Sequence, residues 1–340
     1  MINNKQLSNI TWVEEKTIAN QYRDVLSDYW KDKQVWWKKY KWIYKKWYSD
    51  AEKLWEKLNM DEKHINNEYS TILSNSDKKL KNKICAILPW VWAEKNIRKL
   101  KKFFTKKQRD WVKEICVDMA NWMIKVARET FKKAIIVIDR YHVRNLVNEM
   151  IWAVKIRIKV KLSREEDRKR KLSREEDRKR KLSKKSKRKY KIKRYTNWET
   201  KLEMITRSHY QIRKNKNNWT SKEIKRWNIM KKLPCFKALV AIFNKQMDLY
   251  NIYEKKINKE DAIVFMKQWI KSSRRYTRIP EILDISNSIE KKLDWITNYF
   301  VSRHNNWYWE WLNSRIWKII RDSKGFTNND YMIFRLITAL

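Results

Sequence analysis

The sequence predicts an α/β (α+β) protein: a mixed five-stranded sheet with helices, interrupted by a long all-helical insertion. Two patterns carry this prediction. Between Leu58 and Asp139, short apolar runs bounded by polar clusters alternate with amphipathic stretches, as strands and surface helices do. From Tyr195 to Ile296 the apolar residues recur at helical spacing instead, with Leu239, Ile242, Phe243, Met247, Leu249 and Tyr250 among the expected core. With 42% hydrophobic residues the chain has enough apolar side chain for one or two packed domains, which argues against wholesale disorder.

Residues 1–57 are basic and aromatic with weak helical periodicity, including Ile18, Tyr22, Val25, Leu26 and Tyr29, and the stretch from Tyr40 to Leu58 also reads as helical. The pattern for a helix-turn-helix is poor there. Lys57-Leu58-Asn59-Met60-Asp61 reads as a first strand, Tyr69 to Leu73 as a second and Lys83 to Leu88 as a third, which suggests an antiparallel meander. A helix follows from Glu94 to Phe104, with Ile97, Leu100, Phe103 and Phe104 on one face. Val112 to Asp118 is a fourth strand that ends in an acid, and a helix from Asn121 to Phe131 leads to the apolar strand Ala134 to Asp139, suited to a sheet centre. Three strands, helix, strand, helix, strand is the order of the ribonuclease-H-like fold. The expected core thus begins with residues 58–145.

The insertion spans residues 146–296. Its first helix carries Val143, Leu146, Val147, Met150 and Val154 and runs into a basic decamer repeat at 161–183: Lys161 to Arg170 recurs unchanged as Lys171 to Arg180, and Lys181-Leu182-Ser183 begins a third copy. Ten residues advance a helix by about 280°, so Leu162, Leu172 and Leu182 form no common stripe, and no core is expected there. Glu165 with Lys169, and Glu166 with Arg170, are favourable i,i+4 pairs. The stretch reads as an exposed charged helix or a disordered basic arm, acting as a solvated spacer or a contact to a polyanion backbone. Residues 297–340 bring a last helix back to the core.

Charge narrows the function. Lys and Arg number 82 against 39 Asp and Glu, a net +43, which excludes an ordinary neutral cytosolic enzyme and points to a polyanion partner. No apolar run approaches the ~20 residues a membrane span needs, and the N-terminus lacks a secretory signal, so the expected location is the cytoplasm, in association with the nucleoid. Cys85, Cys116 and Cys235 are an odd number without CxxC spacing, and the four histidines are scattered. This argues against a disulfide framework or structural zinc and leaves reduced, mostly buried thiols.

One count is anomalous. The chain has 1 Gly and 21 Trp, where ordinary usage predicts roughly 24 glycines in a chain this long. Turns that need positive φ are filled by glycine, and Trp is the worst replacement there. Many of these Trp positions therefore read as glycines whose UGA codons were translated as Trp. Trp36-Trp37 and Trp90-Val91-Trp92, which fall where loops are expected, fit that reading. The alternative is a Trp-rich surface that stacks on nucleic acid. UGG codons in the coding DNA would overturn the misreading.

Three acids stand out by position. Asp61 ends the first strand, Asp118 ends the fourth and Glu310 opens the last helix, at separations of 57 and 192 residues. In a ribonuclease-H-like sheet the first and fourth strands are neighbours, so Asp61 and Asp118 project into one crevice. Clustered carboxylates repel unless divalent cations bind between them, the arrangement in which two ions clamp a phosphodiester. With 39 acids in the chain, each alone reads equally as a surface charge or a helix cap. On the last helix Leu312, Ile316, Ile319 and Ile320 share one face, while Glu310, Ser314, Trp317 and Arg321 share the other.

The text around these acids is more specific. Asp61-Glu62-Lys63, Val117-Asp118-Met119, Ile138-Asp139-Arg140-Tyr141-His142-Val143, and Asn306 to Asn313 followed by Ile316, Lys318, Arg321 and Gly325-Phe326 resemble, in order and spacing, the DDE transposases of the ISL-three insertion-sequence family. The resemblance runs from about Leu58 to the C-terminus. The family's end motif reads Asn-Gly-Phe, one residue, then Glu-Gly-Leu-Asn, and this chain has Trp307 and Trp311 at its two glycines, in keeping with misread codons.

The resemblance implies that Asp61, Asp118 and Glu310 form a metal-binding triad for two Mg2+ (or Mn2+) ions, with the helical insertion filling the long gap. The Asp139-x-x-His142 step looks like the C/D-x-x-H motif of related transposases. It gives His142 the task of orienting a strand or a phosphate, beside the plainer one of a structural hydrogen bond at a helix start. Arg321 becomes the cationic helper or a solvent-facing arginine. Arg140, Asn313, Arg315, Lys318 and Arg321 become DNA contacts. The partner implied is double-stranded DNA, at transposon ends and target, bridged by a homodimer.

In the implied reaction one ion activates water to cut each transposon end. The freed 3′-hydroxyl then attacks target DNA in line while the second ion stabilises the leaving oxygen. Family members usually begin with a cysteine zinc-binding segment and a helix-turn-helix. This chain has no cysteine before Cys85, so its N-terminus reads as shortened and residues 1–57 as a remnant DNA-binding region. The competing classes are a non-catalytic basic nucleic-acid-binding protein, a nuclease of the same fold such as a Holliday-junction resolvase, and an inactive transposase remnant.

Overall fold

A computed structural model describes residues 48–65, 68–76, 84–89, 92–182, 192–303, 307–322, 332–333 and 336–337, together with Glu14 and Thr17. Expectations for the rest of 1–47, Trp36 and Trp37 among them, and for Trp90 lie outside the described residues. The chain divides into two compact units, one made of Met1–His142 with Asp294–Leu340 and the other of Val143–Leu293.

The first unit holds a mixed sheet of strands β1 (Tyr48–Ser49), β2 (Lys57–Ile65), β3 (Glu68–Asn75), β4 (Ile84–Leu88), β5 (Glu114–Val117) and β6 (Ile135–Ile138), in the order β1-β4-β3-β2-β5-β6. β2, β3 and β4 form the expected antiparallel meander, and β2, β5 and β6 run parallel. The four-residue strand β5 is buried throughout, as a parallel strand covered on both faces should be. Helices α1 (Ala93–Phe103), α2 (Lys106–Trp111) and α3 (Asn121–Thr130) lie between the strands in sequence, and α1 packs on α3.

Four expectations need correction here. Among the described residues the sheet has six strands, not five, because Tyr48 and Ser49 pair with Ile87 and Ala86 of β4. The stretch from Tyr40 to Leu58 is consequently not helical where it is described: β1 is followed by a single 3-10 turn, Ala51–Lys53, and then by β2. Asp61 does not end its strand, since the hairpin with β3 extends β2 to Ile65. The apolar strand β6 lies at the edge of the described sheet rather than its centre, and Ile135 is exposed. Part of that edge is satisfied by the returning chain, where Asn298 donates its side-chain amide to the Ile136 carbonyl at 2.7 Å.

Asn298 lies between two short helices, α10 (Leu293–Thr297) and α11 (Tyr299–Ser302), and α12 (Trp307–Asp322) closes the described part of this unit. On α12, Leu312 and Ile316 are one turn apart and fully buried against Tyr48, Ile65, Ile72, Ile84 and Ile87, with Ile319 and Ile320 partly buried beside them. Helix α12 is therefore docked on the meander side of the sheet. Cys85 and Cys116 are buried, the Cys85 thiol donating to the Lys53 carbonyl at 3.1 Å, while Cys235, in the second unit, is partly exposed.

The second unit is helical. Helix α4 begins at Arg140 and runs unbroken to Leu182, burying Val143, Val147, Met150, Ile151, Val154, Ile158 and Leu162 along one stripe. Leu162 corrects the expectation that no core forms in the repeat, whereas Leu172, its copy, is exposed. The rotation of about 280° per copy turns identical residues to different surroundings. Glu166 and Arg170 form the expected i,i+4 pair at 3.9 Å.

Beyond α4, helices α5 (Lys201–Arg207), α6 (Ser221–Lys232), α7 (Lys237–Glu254), α8 (Lys259–Ser273) and α9 (Pro280–Lys291) complete the unit. Thr200 with Glu203 and Thr220 with Glu223 form capping boxes that fix where α5 and α6 start. Trp219, Trp227 and Phe243 make an aromatic cluster with centroids 4.7–5.3 Å apart.

The Trp residues differ in role. Trp227 and Trp269 are core residues, and the indole of Trp269 donates to the Lys245 carbonyl at 2.8 Å. Trp92 occupies the N-cap of α1 without a side-chain cap bond. Trp198 is 80% exposed at φ 61, in a turn closed by its N–H to the Tyr195 carbonyl at 2.8 Å and by Tyr195 N–H to the Glu199 carbonyl at 3.1 Å. A left-handed backbone without side-chain burial is a glycine position. Trp198→Gly is expected to stabilise the unit by about 1 kcal/mol in urea unfolding; a loss of stability would mean that the indole serves this turn.

Candidate active site

The parallel register of β2 and β5 pairs Met60 with Val117, so the next residues, Asp61 and Asp118, follow at the same level of the sheet. β6 pairs Ile138 with Val117, and the Asp139 N–H donates to the Val117 carbonyl at 3.1 Å. Three parallel strands thus deliver three aspartates in a row to one edge. The carboxyl ends of parallel strands are where open α/β sheets bind their ligands.

Each aspartate is held differently. Asp61 is buried, with Oδ1 accepting the Glu62 N–H at 2.8 Å and Oδ2 3.2 Å from the Lys63 ammonium. Asp118 is partly exposed, and its Oδ1 accepts the Met119 N–H and lies 3.0 Å from His142 Nδ1. Asp139 is buried and caps the start of α4, its Oδ1 accepting the Tyr141 N–H at 3.2 Å, while His142 Nε2 lies 3.9 Å from its Oδ2. His142, in the first turn of α4, is set between two of the three acids.

The electrostatics show excess negative charge. Burial pulls the His142 imidazole down, but its hydrogen bond to Asp118 and the charges of Asp118, Asp139 and Asp61 outweigh it, and its pKa is raised. Burial pushes Glu62 up, as do Asp61 and Asp118, with Lys63 only partly offsetting them. A carboxyl pushed up by two neighbouring carboxylates belongs to a donor set suited to a divalent cation. Among the described residues, no three His, Cys, Asp or Glu side chains already stand in a metal-coordinating arrangement.

Asp139 and Glu62 join this corner although the spacing argument marks only Asp61, Asp118 and Glu310. The signal for Asp139 was present: Ile138-Asp139 repeats the apolar-then-acid ending of Val117-Asp118 on the neighbouring strand. Residue 310 lies in the first turn of α12, but its side chain, like that of Asn313, lies outside the described residues. Arg315, Lys318 and Arg321 are exposed along α12, with Arg315 4.8 Å over the Trp311 ring and Arg321 Nε 3.8 Å from Asp322. Arg140 bonds to the Tyr299 hydroxyl at 3.3 Å and so also ties the start of α4 to α11.

A family model described as transposase, that of the DDE transposases of the ISL-three insertion sequences, matches residues 58–336. The chain belongs to the ISL-three transposase family. No curated protein and no solved structure matches it. For this transposase chain the match begins in β2, three residues before Asp61, and includes Asp118 and residue 310. Membership implies DNA as partner, DNA cleavage and transfer as activity, and the divalent metal that such transposases generally use. Among the described residues, no helix of the transposase chain is long and apolar enough to cross a membrane.

Proposed function

We propose that this chain is the transposase of a bacterial insertion sequence, cutting DNA at the transposon ends and joining them to target DNA by in-line phosphodiester chemistry in a ribonuclease-H-like core. The observation that carries the reading is the side-by-side delivery of Asp61 and Asp118 by paired parallel strands in a chain of transposase family. The meander followed by two parallel strands supports the fold assignment.

In this reading Asp61, Asp118 and Glu310 hold two Mg2+ or Mn2+ ions. When bound, the ions supply Lewis-acid stabilisation of the charge that develops on the phosphodiester oxygens. Lys63 and His142 hold the aspartates in place before DNA arrives and temper their mutual repulsion. Arg315, Lys318 and Arg321 bind the DNA backbone along the exposed side of α12, with Asn313 and Arg140 as further DNA contacts. Two copies bridge the two ends, and the protein works on the nucleoid in the cytoplasm.

The test is incubation of the purified chain with DNA bearing the element's ends in Mg2+ or Mn2+. End-specific nicks with 3′-hydroxyls and joined products, both abolished by chelation, are expected. Binding without cleavage supports the basic-binder reading that +43 also favours, and cleavage without joining supports a nuclease. Affinity for duplex DNA should fall about a thousandfold between 50 and 200 mM salt, measured by fluorescence anisotropy. A flat response would exclude phosphate contacts as its source.

A further inference from the structure

The second unit carries a cationic and aromatic cluster that the chemistry above does not use. Trp152, on α4, meets His209 edge-on at 4.6 Å, and His209 meets Tyr210 at 4.7 Å. Lys155 Nζ lies 5.1 Å and the Arg213 guanidinium 5.8 Å from the Trp152 ring. Tyr210 is 70% exposed and Trp152 39%, and Lys159 is exposed one turn beyond Lys155. Trp152 lies in mid-helix, where glycine is disfavoured, so it is not one of the turn positions at issue above.

Among the described residues, no acid pairs with Lys155 or His209. Burial and then the charges of Lys159 and Arg213 pull Lys155 down to about 8, with no acid acting on it. Its ammonium reaches the Thr206 carbonyl, at 3.4 Å. Burial, Lys155 and Arg213 likewise pull the His209 imidazole down, and its Nδ1 is buried without a hydrogen-bond partner. An exposed ring flanked by uncompensated cations suits a ligand with both a flat face and a negative charge. In fully paired DNA the base faces are hidden in the stack; in an unpaired nucleotide they are open.

We propose that Trp152, Lys155, Lys159, His209, Tyr210 and Arg213 form a site for an unpaired nucleotide of DNA, its base stacked on Tyr210 and its phosphates on Lys159 and Arg213. The inference rests on DNA being the partner, and it adds that the chain distinguishes frayed or single-stranded DNA from intact duplex. Stacking on an aromatic side chain contributes enough that its removal weakens binding about tenfold or more.

The test uses the full chain and two fluorescent oligonucleotides, one fully paired and one with three unpaired nucleotides containing 2-aminopurine. Tyr210→Ala should weaken binding of the second about tenfold and remove its fluorescence quenching, while changing the first less than twofold. Tyr210→Trp should retain both signals, and Arg213→Gln should weaken the unpaired probe. Equal effects of Tyr210→Ala on the two probes, or none, would overturn the site and leave the transposase reading standing. Selective binding by a chain that never cuts DNA would support the site and overturn that reading. Failure to bind either probe would overturn both.

Discussion

On the function proposed above, Asp118→Asn is expected to lower metal-dependent strand cleavage by about a thousandfold or more, because several kcal/mol of charge stabilisation at the phosphodiester would be lost with one of the carboxylates proposed to hold the ions. The substitution is structurally mild. Asn keeps an oxygen to accept the Met119 N–H, and the side chain is partly exposed, so the turn after β5 survives. DNA binding should be unchanged or slightly tighter, since one negative charge leaves a site already rich in them. Cleavage gels and anisotropy on the same preparation check both halves. Cleavage at the parental rate would place the chemistry away from the β2–β5 edge.

Arg226→Met destabilises the 143–293 unit by about 3 kcal/mol at pH 7, the cost of taking from a buried carboxylate its two-pronged partner. Glu199 and Arg226 form a buried two-pronged pair, Nε to Oε2 and Nη2 to Oε1, both at 2.8 Å, and Arg207 reaches Oε1 at 3.0 Å. Burial alone would raise the Glu199 carboxyl, but Arg226 and Arg207 overcome it and hold its pKa low. A depressed carboxylate contributes stability above its unfolded pKa and loses it as pH falls through the folded value. The loss on substitution should therefore shrink below about pH 4, where the acid of the variant takes up a proton. Urea unfolding at both pH values measures this, and equal stability of variant and parent at pH 7 would remove the pair from the account of this unit.

How much was legible in the sequence depended on the range of the interaction. β5 is readable because a strand buried on both faces needs consecutive apolar residues, as Ile115-Cys116-Val117 has, and β6 because Ile135 to Ile138 form an unbroken apolar run of which Ile136 to Ile138 are buried. β1 is not readable: a two-residue strand exists only because β4 offers it partners. Nor does local apolarity separate centre from edge, since β6 is protected by a chain segment some 160 residues away. Leu162 and Leu172 have the same local sequence and opposite burial, which only the packing around α4 decides. In the site, Asp61 and Asp118 follow from strand order, whereas Asp139 and Glu62 emerge from register and mutual charge. The Glu199–Arg226 pair leaves no local trace, its partners being 27 positions apart.

The tandem decamer on α4 also has a history and a future at the level of DNA. Each copy is a whole number of codons, so slippage of a replicating strand over the repeat can add or remove a copy without disturbing the reading frame. Within a continuous helix one copy changes the length by about 15 Å and turns everything past it by about 280°. Residues up to Leu162, which carry the buried stripe, are untouched by such an event. This arm is therefore the part of the protein whose reach can change in one mutational step, and sister elements should differ there in multiples of ten residues before they differ in their cores.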